Sequence, residues 1–223
     1  MKRTAVLFDM DGLMVDTEPL ARLAWQRVAG RYGATVTDDL YNRMLGRRTV
    51  ESAQLVLDVL RLPVSRDELV ARKTAEYLRS IDGGVPAMPG LWALLDRIKV
   101  LGLSWGVATS TPRSVAEIVL GKLGVVGRYA ALACGDEVDR GKPAPDIFLL
   151  AAARLGAAPA DCLALEDSAA GCAAAATAGM RVVAVGEGAM TAHDGPGDAP
   201  FTCAYRRYPS LAAVADDLES LLA

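Results

Sequence analysis

Apolar residues along the chain follow two spacings, and the change between them divides it. Ala5-Val6-Leu7-Phe8 is a short unbroken apolar run behind a polar Thr4, which predicts a sheet-core strand ending at Asp9. From about residue 16 to residue 87 no such run recurs, and apolar residues fall three and four apart in four successive segments. Residues 20–32 place Leu20, Leu23, Ala24, Val28 and Ala29 among arginines, an amphipathic helix that Gly33 can end. Helices over 38–45, 49–60 and 65–81 continue the series, with Thr49 and Ser65 as N-caps and Pro63 as a separator. Residues 82–87, Asp-Gly-Gly-Val-Pro-Ala, read as a linker.

Beyond the linker helix and strand alternate. The pattern predicts a helix over 89–101, a strand over 103–108 ending in Thr109-Ser110-Thr111, and a new helix at Pro112, where a missing N–H costs nothing. A strand over 130–134, a helix over 145–155 and a strand over 162–165 follow, the last ending in Glu166-Asp167-Ser168. The helix 169–178 is almost wholly small residues and should lie close against the sheet, before Gly179 and a strand over 181–185. A loop over 186–200, an edge strand over 201–205 and a closing helix over 211–222 complete the series. The predicted fold class is α/β: a Rossmann-like parallel sheet with helices on both faces through right-handed crossovers, plus an inserted all-helical cap domain. Residues 1–15 and 88–223 form the core, and 16–87 the cap.

Composition narrows the function classes. With 52% hydrophobic residues and a formal net charge of −3, the chain has the makeup of a globular protein and offers no basic surface for nucleic acid. No apolar run approaches the roughly 18 residues of a membrane span, and Lys2-Arg3 leads into a run too short for a signal peptide. The expectation is a cytoplasmic protein without a nucleic-acid or membrane partner, a monomer or weak homo-oligomer. Cys134, Cys162, Cys172 and Cys203 lack metal-ligand spacing and are predicted to be buried thiols. His193, in a Gly/Pro-rich loop, is predicted to face solvent and play no catalytic part.

The candidate chemistry lies at the strand ends, which share one edge of a parallel sheet. The first supplies Asp9 and Asp11, the second Thr109 and Ser110, the third leads to Lys142-Pro143, and the fourth supplies Glu166 and Asp167. Alone, Asp9-Met10-Asp11-Gly12 is as good a turn as a site, Thr109 a helix cap and Lys142 a solvated charge. Together, four carboxylates need a cation among them, and hard oxygen ligands suit Mg²⁺. A lysine and a strand-end hydroxyl backed by helix-start amides suit an anionic phosphoryl group. The combination points to phosphoryl transfer. Asp16 and Glu18 read as capping residues for the first cap helix. Arg47 and Arg48, between two cap helices, either reach a substrate's remote group or are surface charge.

Phe8-Asp9-Met10-Asp11-Gly12, the strand ending in Thr109, Lys142-Pro143-Ala144-Pro145-Asp146 and Glu166-Asp167-Ser168 resemble, in order and type, the four motifs of the haloacid dehalogenase superfamily. The resemblance spans nearly the whole chain and is to the subgroup with a helical cap after the first strand, which contains β-phosphoglucomutase and many sugar-phosphate phosphatases. It implies Asp9 as nucleophile and Asp11 as general acid/base. It further implies Mg²⁺ on Asp9, the Asp11 carbonyl and Asp167, with Glu166 bound directly or through water. The transferring phosphoryl group would be held by Lys142, the Thr109 hydroxyl and the Ser110 amide, and the substrate would be a small phosphorylated metabolite. The mutase pattern has a histidine on the first cap helix, a lysine before the cap-loop glycine and an arginine three residues after it. Here Pro19-Leu20-Ala21-Arg22 occupies the first neighbourhood, and Leu45 and Thr49 flank Gly46. The resemblance therefore favours a phosphatase over a mutase. A dehalogenase needs no metal and lacks the second acid, and Asp11 is present. A phosphorylation-switched receiver domain has no helical insertion and carries its acceptor on a middle strand.

Overall fold

The computed structural model describes residues 4–191 and 201–223. Its strand β1 (Ala5–Phe8) is wholly buried, and alternate side chains enter two different cores. Val6 and Phe8 pack with Leu94 and Ile98 of α5 (Leu91–Val100), Val119 and Leu120 of α6 (Arg113–Leu123), and Leu218 of α10 (Leu211–Leu222). Ala5 and Leu7 pack on the other face with Ile147 and Phe148 of α7 (Asp146–Leu155) and Ala174 and Ala175 of α8 (Ala169–Thr177). A strand covered on both faces is the reason its sequence is continuously apolar rather than alternating.

Strands β2 (Ser104–Thr109), β3 (Ala131–Cys134), β4 (Cys162–Glu166), β5 (Arg181–Val185) and β6 (Arg206–Tyr208) join β1 in a parallel sheet of order β3-β2-β1-β4-β5-β6. Chain order reverses beside β1, and in such sheets the crevice outside the carboxyl ends at the reversal receives ligands. Phe8 pairs with Val107 on one side and Leu165 on the other, so Asp9 emerges level with Ala108 and Glu166. The small residues of α8 bring it close to the sheet, as predicted: a Cβ at Gly171 would overlap the Glu166 carboxylate.

Between β1 and β2 the chain forms α1 (Glu18–Gly30), α2 (Asp38–Asn42), α3 (Thr49–Leu60) and α4 (Arg66–Ser80) around a third core containing Trp25, Val28, Leu40, Val56 and Leu69. These helices are the cap. The buried Glu76 carboxylate of α4 ties that helix to the end of α1 through Arg31, and pairs with Arg79 within α4. Ser65 caps α4 as predicted, its hydroxyl accepting from the Glu68 amide at 3.3 Å.

Several expectations need correction. Thr49 is the first residue of α3 rather than its cap; Arg48 holds the cap position, and Glu51 reaches back to the Arg48 amide at 3.2 Å. Neither Asp16 nor Glu18 caps α1, because Thr17 takes that position and Glu18 is already helical. The edge strand is Arg206–Tyr208 and not 201–205. Phe201 turns into the core instead, and the polar sequence of β6 suits a strand with an outer edge to solvent. Part of the predicted 186–200 loop is a short helix, α9 (Glu187–Thr191), while His193 lies outside the described residues. Cys134, Cys162 and Cys172 are buried, but Cys203 is exposed. Among the described residues no helix is long and apolar enough to cross a membrane.

Candidate active site

Asp9 continues β1, and its amide donates to the Leu165 carbonyl at 3.0 Å, fixing the residue against β4. Lys142, on the loop between β3 and α7, reaches into the same buried space. Its ammonium donates to Asp9 Oδ1 at 2.5 Å and to Glu166 Oε1. Glu166 is fully buried, and its other oxygen accepts from the amides of Asp167 and Ser168 at 3.1 and 3.0 Å and from the Ser168 hydroxyl at 2.9 Å. Glu166 thus anchors the lysine while drawing on donors at the start of α8. Gly12 is required for the approach of Asp167: its φ is +81° and a Cβ would overlap the Asp167 carboxylate.

The ligand atoms of Asp9, Glu166 and Asp167 lie within 4.8 Å of one another. Burial pushes Asp9 up to about 8, against the pull of Lys142 and with help from Glu166 and Asp11. Asp167 is raised in the same way, by burial first and then by Glu166 and Asp9. Burial works against the Lys142 ammonium, but the Asp9 and Glu166 carboxylates more than offset it and hold it charged. Three carboxylates cluster here and the Lys142 ammonium pairs with only two of them, Asp9 and Glu166, so a hard divalent cation fits this donor set both in charge and in ligand type.

The raised carboxyl pKa values set a sign for stability. An unfolded Asp releases its proton near its ordinary value of 3.8, whereas folded Asp9 keeps it until about 8. The folded state therefore binds more protons across that window, and metal-free stability falls as pH rises through it. The Tm of metal-free protein is expected to fall between pH 5 and pH 8, and Mg²⁺ to raise it more at pH 8 than at pH 5, by calorimetry. A metal-free Tm that is flat over this range would show that the cluster does not retain its protons.

Asp11 is held by hydroxyls. Oδ1 accepts from Thr17 at 2.7 Å and Oδ2 from Thr111 at 2.7 Å, with Thr109 further off at 3.4 Å. Thr109 Oγ1 also accepts from the Thr111 amide at 3.1 Å. Ser110 directs its hydroxyl to the Gly46 carbonyl of the cap at 2.9 Å. The sequence alone does not single out Thr17 or Thr111. Thr17 is masked by two flanking acids that are stronger capping candidates, and Thr111 is signalled only by following Thr109 and Ser110 at the strand end.

Cap and core enclose a cavity of about 790 Å³ that reaches Asp9, Asp11, Thr109, Ser110 and Asp167. Its cap side carries Trp25, Tyr41, Lys73 and Tyr77. The Lys73 ammonium stands 4.8 Å from the Tyr77 ring and 5.7 Å from the Trp25 ring, and burial lowers its pKa to about 8 although Asp11 opposes this. Arg47 lines the cavity, and so do Ala21, Leu45 and Thr49. Arg48 does not; its guanidinium turns to Glu51 and to the Val138 carbonyl.

The sequence matches the family described as haloacid dehalogenase-like hydrolase over residues 4–179. It is 35% identical to the Phosphorylated carbohydrates phosphatase of Thermotoga maritima, covering 79% of this chain and 82% of that protein. It is also 35% identical to the Beta-phosphoglucomutase of Bacillus subtilis, covering 82% of this chain and 84% of that one. The crystal structure of CbbY from Rhodobacter sphaeroides in complex with phosphate superposes with a TM-score of 0.83 at 29% identity, covering 95% of this chain and 96% of that one.

Proposed function

This chain belongs to the haloacid dehalogenase-like hydrolases, and from that premise we propose that it is a Mg²⁺-dependent phosphatase that hydrolyses a small phosphomonoester, specifically a sugar phosphate, through an aspartyl-phosphate on Asp9. The observation that carries the reading is the buried Lys142 bridging Glu166 and Asp9, the latter of which lines a cavity between cap and core. Identity to a phosphatase of phosphorylated carbohydrates supports the substrate class.

An Asp9 carboxylate oxygen attacks phosphorus, forming an acyl phosphate as the bond to the leaving oxygen breaks. Asp11 gives its proton to that alkoxide and takes one from the water that attacks phosphorus in the second step, which releases phosphate and restores Asp9. Thr17 and Thr111 fix the direction of the Asp11 carboxyl between these transfers. Lys142 accompanies the charge that develops on the phosphoryl oxygens, with the Thr109 hydroxyl and Ser110 amide as further donors at the end of β2. Asp9, the Asp11 carbonyl and Asp167, with Glu166 beside them, would hold Mg²⁺, which when bound would supply the positive charge that lets one anion approach another. The cap keeps bulk water from the acyl phosphate until the alcohol has left.

A phosphomutase is the second reading, favoured by the identity to a Beta-phosphoglucomutase. Ala21, Leu45 and Thr49 weigh against it, because they put no imidazole or cation at the three positions of the mutase pattern, and the cations of the wall, Arg47 and Lys73 among them, stand elsewhere. The test is phosphate release from p-nitrophenyl phosphate and a panel of sugar phosphates. Many turnovers with Mg²⁺ and none in excess EDTA are expected. Conversion of β-glucose 1-phosphate to its isomer with a bisphosphate activator would favour the mutase, and one stoichiometric phosphorylation a receiver-like switch.

A further inference from the structure

The cap touches the core loops both at the cavity rim and beyond it, and the contact beyond bears on the residue that holds the nucleophile. Ser110 Oγ meets the Gly46 carbonyl at 2.9 Å, and a Cβ on Gly46 would come within 2.8 Å of Ser168 Oγ. Arg48 engages the core through its side chain: Nη1 donates to the Val138 carbonyl at 3.0 Å. Its Nε donates to Glu51 Oε1 at 2.8 Å and Nη2 lies 2.6 Å from the same oxygen, while Glu51 Oε2 accepts from the Arg48 amide. All three guanidinium nitrogens are therefore engaged, on a side chain locked by the carboxylate that caps α3.

The Arg48–Glu51 pair stands directly over Gly141. A Cβ there would lie 2.8 Å from Arg48 Nε and 2.9 Å from Glu51 Oε1, so the cap presses on bare backbone one residue before Lys142. Lys142 in turn is 2.5 Å from Asp9. A guanidinium whose Nε and Nη2 are held by Glu51 while Nη1 donates to the carbonyl, backed by contact over a glycine, fixes backbone better than a flexible point charge would.

We propose that Arg48 is a positioning residue: seated on the Val138 carbonyl and over Gly141, it holds the 138–142 segment in place only while the cap is down, and so makes the placement of Lys142 at Asp9 depend on cap closure. The device restricts attack by Asp9 to the state in which the cap excludes water. It also separates the two adjacent arginines, since Arg47 faces the cavity and Arg48 the core loop.

Because Lys142 serves every substrate, loss of Arg48 is expected to lower kcat alike on all of them. Arg48→Gln should reduce kcat about tenfold on both p-nitrophenyl phosphate and the best sugar phosphate, with KM changed less than about threefold. Arg48→Lys, keeping one donor, should recover part of the loss. Amide hydrogen exchange over 138–142 should speed up about tenfold in Arg48→Gln while the strands of the sheet stay protected. Glu51→Gln, which leaves Arg48 in place but frees its guanidinium, should shift exchange in the same direction by less, and stands in should Arg48→Gln not fold. The kinetic arm rests on the phosphatase reading, whereas the exchange arm does not: faster exchange without any phosphatase activity in the wild type would fault that reading and support the coupling. Unchanged exchange over 138–142, or a kcat loss confined to substrates with a remote polar group, would overturn it.

Discussion

Asp9→Asn is expected to reduce kcat on phosphomonoesters by about 10⁴-fold or more while leaving the fold intact. Asparagine keeps the shape of the side chain and an oxygen to accept from Lys142, which retains Glu166 as its charged partner. What it removes is the oxygen nucleophile that forms the acyl phosphate. It also deletes one of three carboxyls clustered within 4.8 Å of one another, and burial already pushes the Asp9 carboxyl up to about 8. Metal-free Tm should therefore be unchanged or higher at pH 8, a combination that simple misfolding cannot produce. Steady-state kinetics on p-nitrophenyl phosphate and calorimetry on the same preparation check both halves. A kcat within tenfold of wild type would remove Asp9 from the role of nucleophile.

The parts of the molecule legible in the sequence are those where local pattern and tertiary role coincide. A strand buried on both faces must be continuously apolar, so Ala5–Phe8 and the polar residues at its end stand out, as do the ends of β2 and β4. The cap helices show through their spacing, since their own core takes one face of each. Residues whose partners lie far along the chain are not legible in this way. Arg47 and Arg48 are adjacent and identical in type, and only the placement of α3 over Gly141 sends one to the cavity and the other to the Val138 carbonyl. Thr17 looks like a weaker cap than its acidic neighbours until Asp11 is seen beside it. Strand β6 is invisible because an edge strand with polar side chains carries no apolar signal, whereas Phe201, which does, belongs to the core behind it.

Lys142→Met is expected to be as damaging to turnover as to folding, and the pairing of the two effects separates it from Asp9→Asn. Methionine fills the space of the lysine stem but leaves the buried Asp9 and Glu166 carboxylates without their cation. Breaking a buried ion pair from one side costs about 3–5 kcal/mol, which for a chain of this size lowers Tm by roughly 10 °C. Turnover should fall about 10³-fold through loss of the charge on the phosphoryl oxygens. The stability deficit has a sign in pH. Burial raises the Asp9 carboxyl and Lys142 opposes that rise, so without the lysine folded Asp9 holds its proton more tightly still, and the variant should be near wild type around pH 5 and fall progressively behind it toward pH 8. Mg²⁺ should recover part of the lost stability, because it neutralises the same carboxylates, but not the turnover, because it cannot stand where the ammonium stood. Adding Asp9→Asn to Lys142→Met should relieve part of the folding cost, since one of the two orphaned charges is gone; additive losses in that double variant would mean that Lys142 and Asp9 do not share the interaction their 2.5 Å contact implies.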